Sequence, residues 1–139
     1  MVEKLHLRRV AYKDLNGKQK EIYNFQKIAA KLADYGFNCI KLDDDWMGAD
    51  FLAYHKDGTQ TLRVQLKGRL TISKKYAGKA LHLSFRHQGA WYLVPHDTLV
   101  EIVGQTTNWL NTPSWEKGQY SSANPSQKTL KALADYKLE

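Results

Sequence analysis

The dipeptide Asp57-Gly58, set between the runs Asp50–Lys56 and Thr61–Lys67, restricts the fold more than any other feature of the chain. Asp-Gly flanked by alternating apolar and polar residues is a strong signal for a two-residue hairpin, because a type I′ turn needs positive φ at both central positions. With that turn, Lys56 pairs with Thr59 and Asp50 falls opposite Gln65, their Cβ atoms about 5 Å apart. Side chains alternate along a strand, so Lys67 shares the face of Gln65. Phe51, Ala53, Leu62, Val64 and Leu66 fill the other, apolar face.

A helix precedes the hairpin, from about Gly17 to Tyr35. Asn16 caps it and Gln19 completes a capping box, while Gly36 supplies the stop. Ile22, Phe25, Ile28, Ala29 and Leu32 form its apolar stripe. Glu21 stands at the start of that side, either partly over the core or simply in a first turn that favours acids. Phe37 to Leu42 reads as a further strand. A second hairpin, Leu81–His87 and Ala90–Pro95, turns at Gln88-Gly89, and Asp97 or Thr98 caps a helix carrying Leu99 to Val103. Residues 104–125 read as an ordered loop, since linkers seldom hold aromatics such as Trp109, Trp115 and Tyr120. Those rings either stack on bases or, the favoured reading, seal a small core. Ser126 caps a last helix. The 139 residues suit a single domain, 1–139, with a core over about 17–103 and a C-terminal loop and helix over 104–139.

Lys and Arg number 21 against 14 Asp and Glu, a net charge of +7. From Gly58 to His96 there is no acid, and Arg63, Lys67, Arg69, Lys74, Lys75, Lys79 and Arg86 fall there. This stretch equals the whole net charge. Interleaved with Tyr76, Phe85, Trp91 and Tyr92, it is the footprint of a polyanion binder. Arg63, Arg69, Lys74, Lys75, Lys79 and Arg86 are the candidate backbone-gripping residues, and His82 and His87 are phosphate contacts or solvent-facing strand residues. Asp43-Asp44-Asp45 reads as a solvated loop rather than a metal cluster. One cysteine, Cys39, rules out an internal disulfide and fits a cytoplasmic protein. No apolar run approaches a membrane span, and the N-terminus lacks the apolar stretch of a signal peptide.

One acid, one amide and one amine thus meet on a sheet face. Magnesium takes oxygen ligands and keeps several waters, so Asp50, the amide oxygen of Gln65 and the backbone carbonyl of Leu66 could serve as ligands. Lys67 could orient or deprotonate an attacking water, or neutralise charge on a phosphorane. Glu21 adds a second carboxylate if the helix brings its N-terminal turn to the strand ends. The bland alternative makes Asp50 a turn cap and Lys67 an exposed strand lysine.

At these residues the chain resembles the PD-(D/E)XK nuclease superfamily. Glu21 matches the helix acid, Gly48-Ala49-Asp50 the second motif and Gln65-Leu66-Lys67 the third. Ala49 stands where Pro is usual, Gln65 replaces an acid as in a minority branch, and Arg69 to Ala80 is short for the family's crossover helix. The resemblance spans roughly residues 17–95. It implies an α/β, restriction-endonuclease-like mixed β-sheet flanked by helices, with an N-terminal helix followed by a β-meander. It further implies Mg²⁺-dependent (or Mn²⁺-dependent) hydrolysis of DNA, often by a homodimer, with Asp50, Gln65, Lys67 and Glu21 as catalytic residues. The expected function is therefore a metal-dependent endonuclease acting on DNA, with RNA as the alternative substrate. A non-catalytic nucleic-acid-binding module and a basic protein-interaction domain are the competing classes.

Overall fold

The computed structural model describes residues 2–139. After a short 3-10 turn, Tyr12–Asp14, comes helix α1, Gly17–Ala33. Its capping box is reciprocal: Asn16 Oδ1 accepts from the Gln19 N–H at 2.9 Å, and Gln19 Oε1 accepts from the Asn16 N–H at 3.0 Å. Ile28 and Leu32 are buried, whereas Ile22 is 41% exposed. The helix's first turns border an open cleft rather than the sheet, so the apolar stripe becomes effective only from Phe25 onward.

Strands β1 (Phe37–Trp46), β2 (Ala49–His55) and β3 (Thr61–Lys67) form an antiparallel meander. The β2–β3 ladder runs from Phe51 opposite Val64 to Tyr54 opposite Thr61, the register expected from Asp57-Gly58. The turn itself differs. Only Gly58 has positive φ, at +77°, and the Gly58 N–H bonds the His55 carbonyl at 3.0 Å. His55 N–H in turn reaches the Gln60 carbonyl at 2.8 Å, so the loop is longer than the type I′ turn. Asp57 keeps negative φ because its Oδ1 accepts both the N–H and the hydroxyl of Thr59, at 2.9 and 2.6 Å. The longer loop is symmetric about the same centre, and the register survives.

Beyond β3 lie β4 (Leu70–Ser73), a 3-10 turn (Lys74–Tyr76), β5 (His82–His87) and β6 (Ala90–Pro95). β5 runs parallel to β3 and antiparallel to β6, and the expected turn at Gln88 and Gly89 has φ of +50° and +79°, left-handed at both positions. Helix α2 (His96–Thr106) starts directly after Pro95, without the side-chain cap expected from Asp97 or Thr98. α3 (Pro113–Glu116), β7 (Gln119–Ser122), α4 (Gln127–Ala132) and β8 (Lys137–Leu138) complete the chain. Six strands form one mixed sheet in the order β1-β2-β3-β5-β6-β8, and β4 pairs with β7 in a separate two-stranded sheet. The crossover segment is thus a strand and a 3-10 turn instead of a helix, and part of the expected loop is the strand that pairs with it.

Helices cover both faces of the main sheet. α1 buries Ile28 and Leu32 against Phe51, Ala53, Leu62, Val64 and Trp91. On the opposite face, α2 and Leu133 pack over Leu83, Phe85, Tyr92 and Val94, together with Leu70 and Ile72 of β4. Trp109, Trp115 and Tyr120 pack against this second cluster. The rings of Trp109 and Tyr120 stack at 4.2 Å, so these aromatics seal the core. His96 ties the crossover down: its buried Nε2 accepts the Ser73 N–H at 3.1 Å, and its Nδ1 lies 3.2 Å from Asp97.

Candidate active site

The turn joining β1 to β2 is the pair Met47-Gly48, both left-handed, with φ of +53° and +87°. Trp46 pairs with Ala49 across this turn. Further from it Lys41 pairs with Phe51, and between the two pairs Leu42, Asp43, Asp44 and Asp45 lie opposite Asp50 alone. The acidic run is therefore an exposed bulge within β1, not a detached loop. Such an excess bends the longer strand away from its neighbour, and here it opens a cleft beside Asp50.

The β2–β3 ladder ends at Phe51 and Val64. One step beyond, Asp50 Oδ2 accepts the backbone N–H of Leu66 at 2.8 Å. A side-chain bond thus replaces a ladder bond and holds the carboxylate against the Gln65-Leu66-Lys67 segment. α1 supplies Glu21 and Asn24, three residues apart and so on one side of the helix. The result is a cleft of about 450 Å³ walled by Glu21, Asn24, Lys41, Asp50, Gln65 and Lys67, with Leu66 and the three aspartates at its margin. All four residues singled out in the sequence meet there. Asn24 and Lys41 are not among them, and the aspartates, expected in a solvated loop, lie instead in the bulged strand that lines the cleft. Asn24 sits on the same helical side as Glu21, and that spacing was the available signal.

Burial pushes the Asp50 carboxyl above its ordinary range. The Leu66 N–H pulls it back, Asp45 raises it, Lys67 lowers it and Glu21 raises it. Gln65 is 6% exposed and its Oε1 meets no hydrogen-bond donor. Buried polar atoms are seldom left so. Glu21 is exposed, with Lys18 Nζ 3.8 Å from its carboxylate, a surface pair of little energetic weight.

The side-chain oxygens on residues lining the cleft include the carboxylates of Asp50 and Glu21 and the unpartnered amide oxygen of Gln65. That chemistry fits a hard divalent cation such as Mg²⁺ or Mn²⁺. Among the described residues no three His, Cys, Asp or Glu side chains form a metal-binding cluster. A cation held here would therefore rely on neutral oxygens, such as that of Gln65, and on solvent or substrate.

The basic residues do not form one row. Gln65 pairs with Leu83 and Lys67 with Phe85, so alternation sends Arg63 and Arg86 to opposite faces of the sheet. Arg86 lies over the Tyr12 ring, 4.2 Å from its centroid, with Lys20 on the same ring at 5.4 Å. Arg63 hydrogen-bonds the Lys79 carbonyl and approaches Met47 Sδ at 3.5 Å. Lys74 and Lys75 are exposed over Trp115 and Tyr76, at 5.5 and 5.1 Å. Arg69 donates to Ser121 Oγ at 2.8 Å. His82 is half-buried with an unpartnered Nδ1, and burial lowers its pKa.

A mixed sheet with a helix before a meander, a parallel β3–β5 pair and a polar cleft at the strand ends defines the restriction-endonuclease-like nuclease fold. One solved structure agrees in fold. A bacterial homing endonuclease, I-Ssp6803I, superposes with a TM-score of 0.51 at 12% identity, over 88% of this chain and 86% of that one. A Holliday junction resolvase, Hjc of Archaeoglobus fulgidus, matches with a TM-score of 0.45 at 15% identity, over 56% of this chain and 74% of that one. No family model matches the sequence, and no curated protein matches it. The likeness is one of fold. No helix among the described residues is long and apolar enough to cross a membrane.

Proposed function

We propose that the chain is a metal-dependent endonuclease that hydrolyses DNA phosphodiester bonds. The observation that carries this reading is the convergence of Asp50, Gln65, Lys67 and Glu21 on one cleft, with the buried Gln65 oxygen lacking a donor. Asp50 and Gln65 would hold Mg²⁺ or Mn²⁺, with the Leu66 carbonyl and Glu21 as further oxygens. Bound there, the ion supplies positive charge against the scissile phosphate.

Lys67 shares the sheet face of Gln65 and lines the cleft. As an ammonium it orients the attacking water or offsets charge that builds on the phosphorus oxygens, and taking the water's proton would require its neutral amine form. The Leu66 N–H fixes the Asp50 carboxylate, so the charged group needs no reorganisation when substrate arrives. Lys74, Lys75, Arg69 and Arg86 hold the DNA backbone, and a homodimer doubles the otherwise short track. The lone Cys39 suits a protein acting in the cytoplasm.

The test is cleavage of plasmid and branched DNA in Mg²⁺ or Mn²⁺. Wild type should cut, whereas Asp50→Ala and Lys67→Ala should not. DNA binding without cleavage at every metal concentration would favour a second reading, a non-catalytic nucleic-acid-binding module. The neutral Gln65, standing where a second strand acid would strengthen a metal site, favours that alternative. No DNA or RNA binding at low salt would leave a protein-interaction domain.

A further inference from the structure

Asn24 is a buried amide on α1, only 6% exposed, in the wall of the same cleft. Its Nδ2 donates to the Tyr12 hydroxyl at 3.1 Å, and its Oδ1 has no hydrogen-bond partner. Three buried side-chain atoms among the described residues are orphaned in this way: Asn24 Oδ1, Gln65 Oε1 and His82 Nδ1. The two oxygens belong to residues lining one cleft, and the nitrogen lies outside its wall.

Leaving a buried acceptor unsatisfied costs about 1–3 kcal/mol. A core position on a helix would satisfy it or fill the space with Leu. Two unpartnered amide oxygens on residues that line one cleft, beside a single half-buried carboxylate, form a donor set for a cation with few charged ligands. Tyr12 occupies the amide's NH₂ group and so leaves the oxygen as the free end. The ring that does this is itself held by Tyr23, at 5.2 Å between centroids, and by Arg86 and Lys20.

Resting on the site reading above, we propose that Asn24 is a further oxygen ligand of the divalent cation held in this cleft, and that Tyr12 is its positioning residue. The cation set is then Asp50 with two amide oxygens, one from β3 and one from α1, which compensates for the acid that Gln65 replaces. The set also spans helix and sheet, so cation binding clamps the first turns of α1 to the strand ends.

The test is Mn²⁺ binding by the full chain without nucleic acid, followed by electron paramagnetic resonance of the free ion and by calorimetry. Asn24→Leu should weaken binding by about tenfold, the scale seen when a group supporting a metal site is removed. Asn24→Asp should tighten it, because affinity rises with ligand charge. Tyr12→Phe should weaken it less than Asn24→Leu, leaving the metal-free melting temperature within a few degrees of wild type. Wild-type binding in both Asn24 variants, with binding abolished in Asp50→Ala, would overturn the proposal and leave the site reading intact. No Mn²⁺ binding by wild type, or undiminished binding by Asp50→Ala, would overturn the site reading and this proposal with it. Should Asn24→Leu fail to fold, Asn24→Asp decides by its direction of change.

Discussion

Asp50 Oδ2 accepts the Leu66 N–H at 2.8 Å, one residue past the last regular pair of the β2–β3 ladder. The bond makes Asp50 both a strand-end clamp and the charged group of the cleft, and the two roles are separable. Asp50→Asn keeps an acceptor for Leu66 and removes the charge that burial, Asp45 and Glu21 all disfavour. It should hold or raise stability while abolishing metal-dependent cleavage. Asp50→Ala orphans the N–H as well and should cost about 1–3 kcal/mol. Denaturant melts of the two variants beside a cleavage assay check this, and equal losses of stability would refute it.

His96 predicts acid sensitivity. Burial holds its pKa below the ordinary 6.5, against a smaller upward pull from Asp97, and its Nε2 must stay unprotonated to accept the Ser73 N–H. The groups around it are Asp97, Ser73 and the Tyr76 ring, 5.6 Å away. The unfolded chain takes up this proton near its ordinary value and the folded chain does so only at lower pH. Stability is therefore complete above about pH 6.5 and is lost as pH falls below it. His82, shifted the same way by burial, adds to the slope. Thermal melts from pH 8 to 5 should show the decline, and His96→Gln should flatten it.

The basic residues should divide into two kinds. Lys74 and Lys75 are exposed, so changing both to Ala should leave the fold intact. The salt dependence of DNA binding should become shallower, by about one unit of slope for each phosphate no longer neutralised. Arg63 bonds the Lys79 carbonyl and touches Met47, so Arg63→Ala should lower stability along with affinity. Binding titrations at several salt concentrations, paired with melts, separate the two. An unchanged melting point for Arg63→Ala would count against its anchoring role.

Gly48 should resist substitution. Its φ is +87°, and an added Cβ would sit 2.7 Å from Leu81 Cδ1. Gly48→Ala should cost on the order of 1–3 kcal/mol through left-handed strain and crowding. Because the turn leads directly into Asp50, metal affinity should fall with it, and a melt with a Mn²⁺ titration reads both.

Local signals in the sequence carried much of this structure. The capping box at Asn16 and Gln19, the Gln88-Gly89 turn and the pairing centred on Asp57-Gly58 depend on residues close in the chain. The last held although the turn itself is of another type, because a loop lengthened equally on both sides preserves the pairing. Pairings across long separations were not legible. Leu70–Ser73 finds its partner at Gln119–Ser122, and nothing in either short segment announces the other. The bulge at Asp43–Asp45 was hidden for a related reason: an acidic run looks solvated whether it lies in a loop or in a strand that has outgrown its neighbour. At the site, Asp50, Gln65 and Lys67 followed from strand alternation. The placement of Glu21 and Asn24 required knowing how α1 lies across the sheet's end.

The unequal lengths of β1 and β2 around Asp50 have a consequence for how such a cleft changes over time. Leu42 through Asp45 spans what Asp50 spans alone, so this part of the edge strand carries slack that the ladder does not use. Leu42 stays packed on Ala49, Tyr76 and Leu81, whereas the exposed Asp43, Asp44 and Asp45 can exchange acid for base without displacing the paired segments on either side. The charge at the rim, which bears on the ionisation of Asp50 and on the approach of a polyanion, is thereby uncoupled from the packing that keeps the molecule folded. A chain built this way can retune the electrostatics of its cleft while its core stays still.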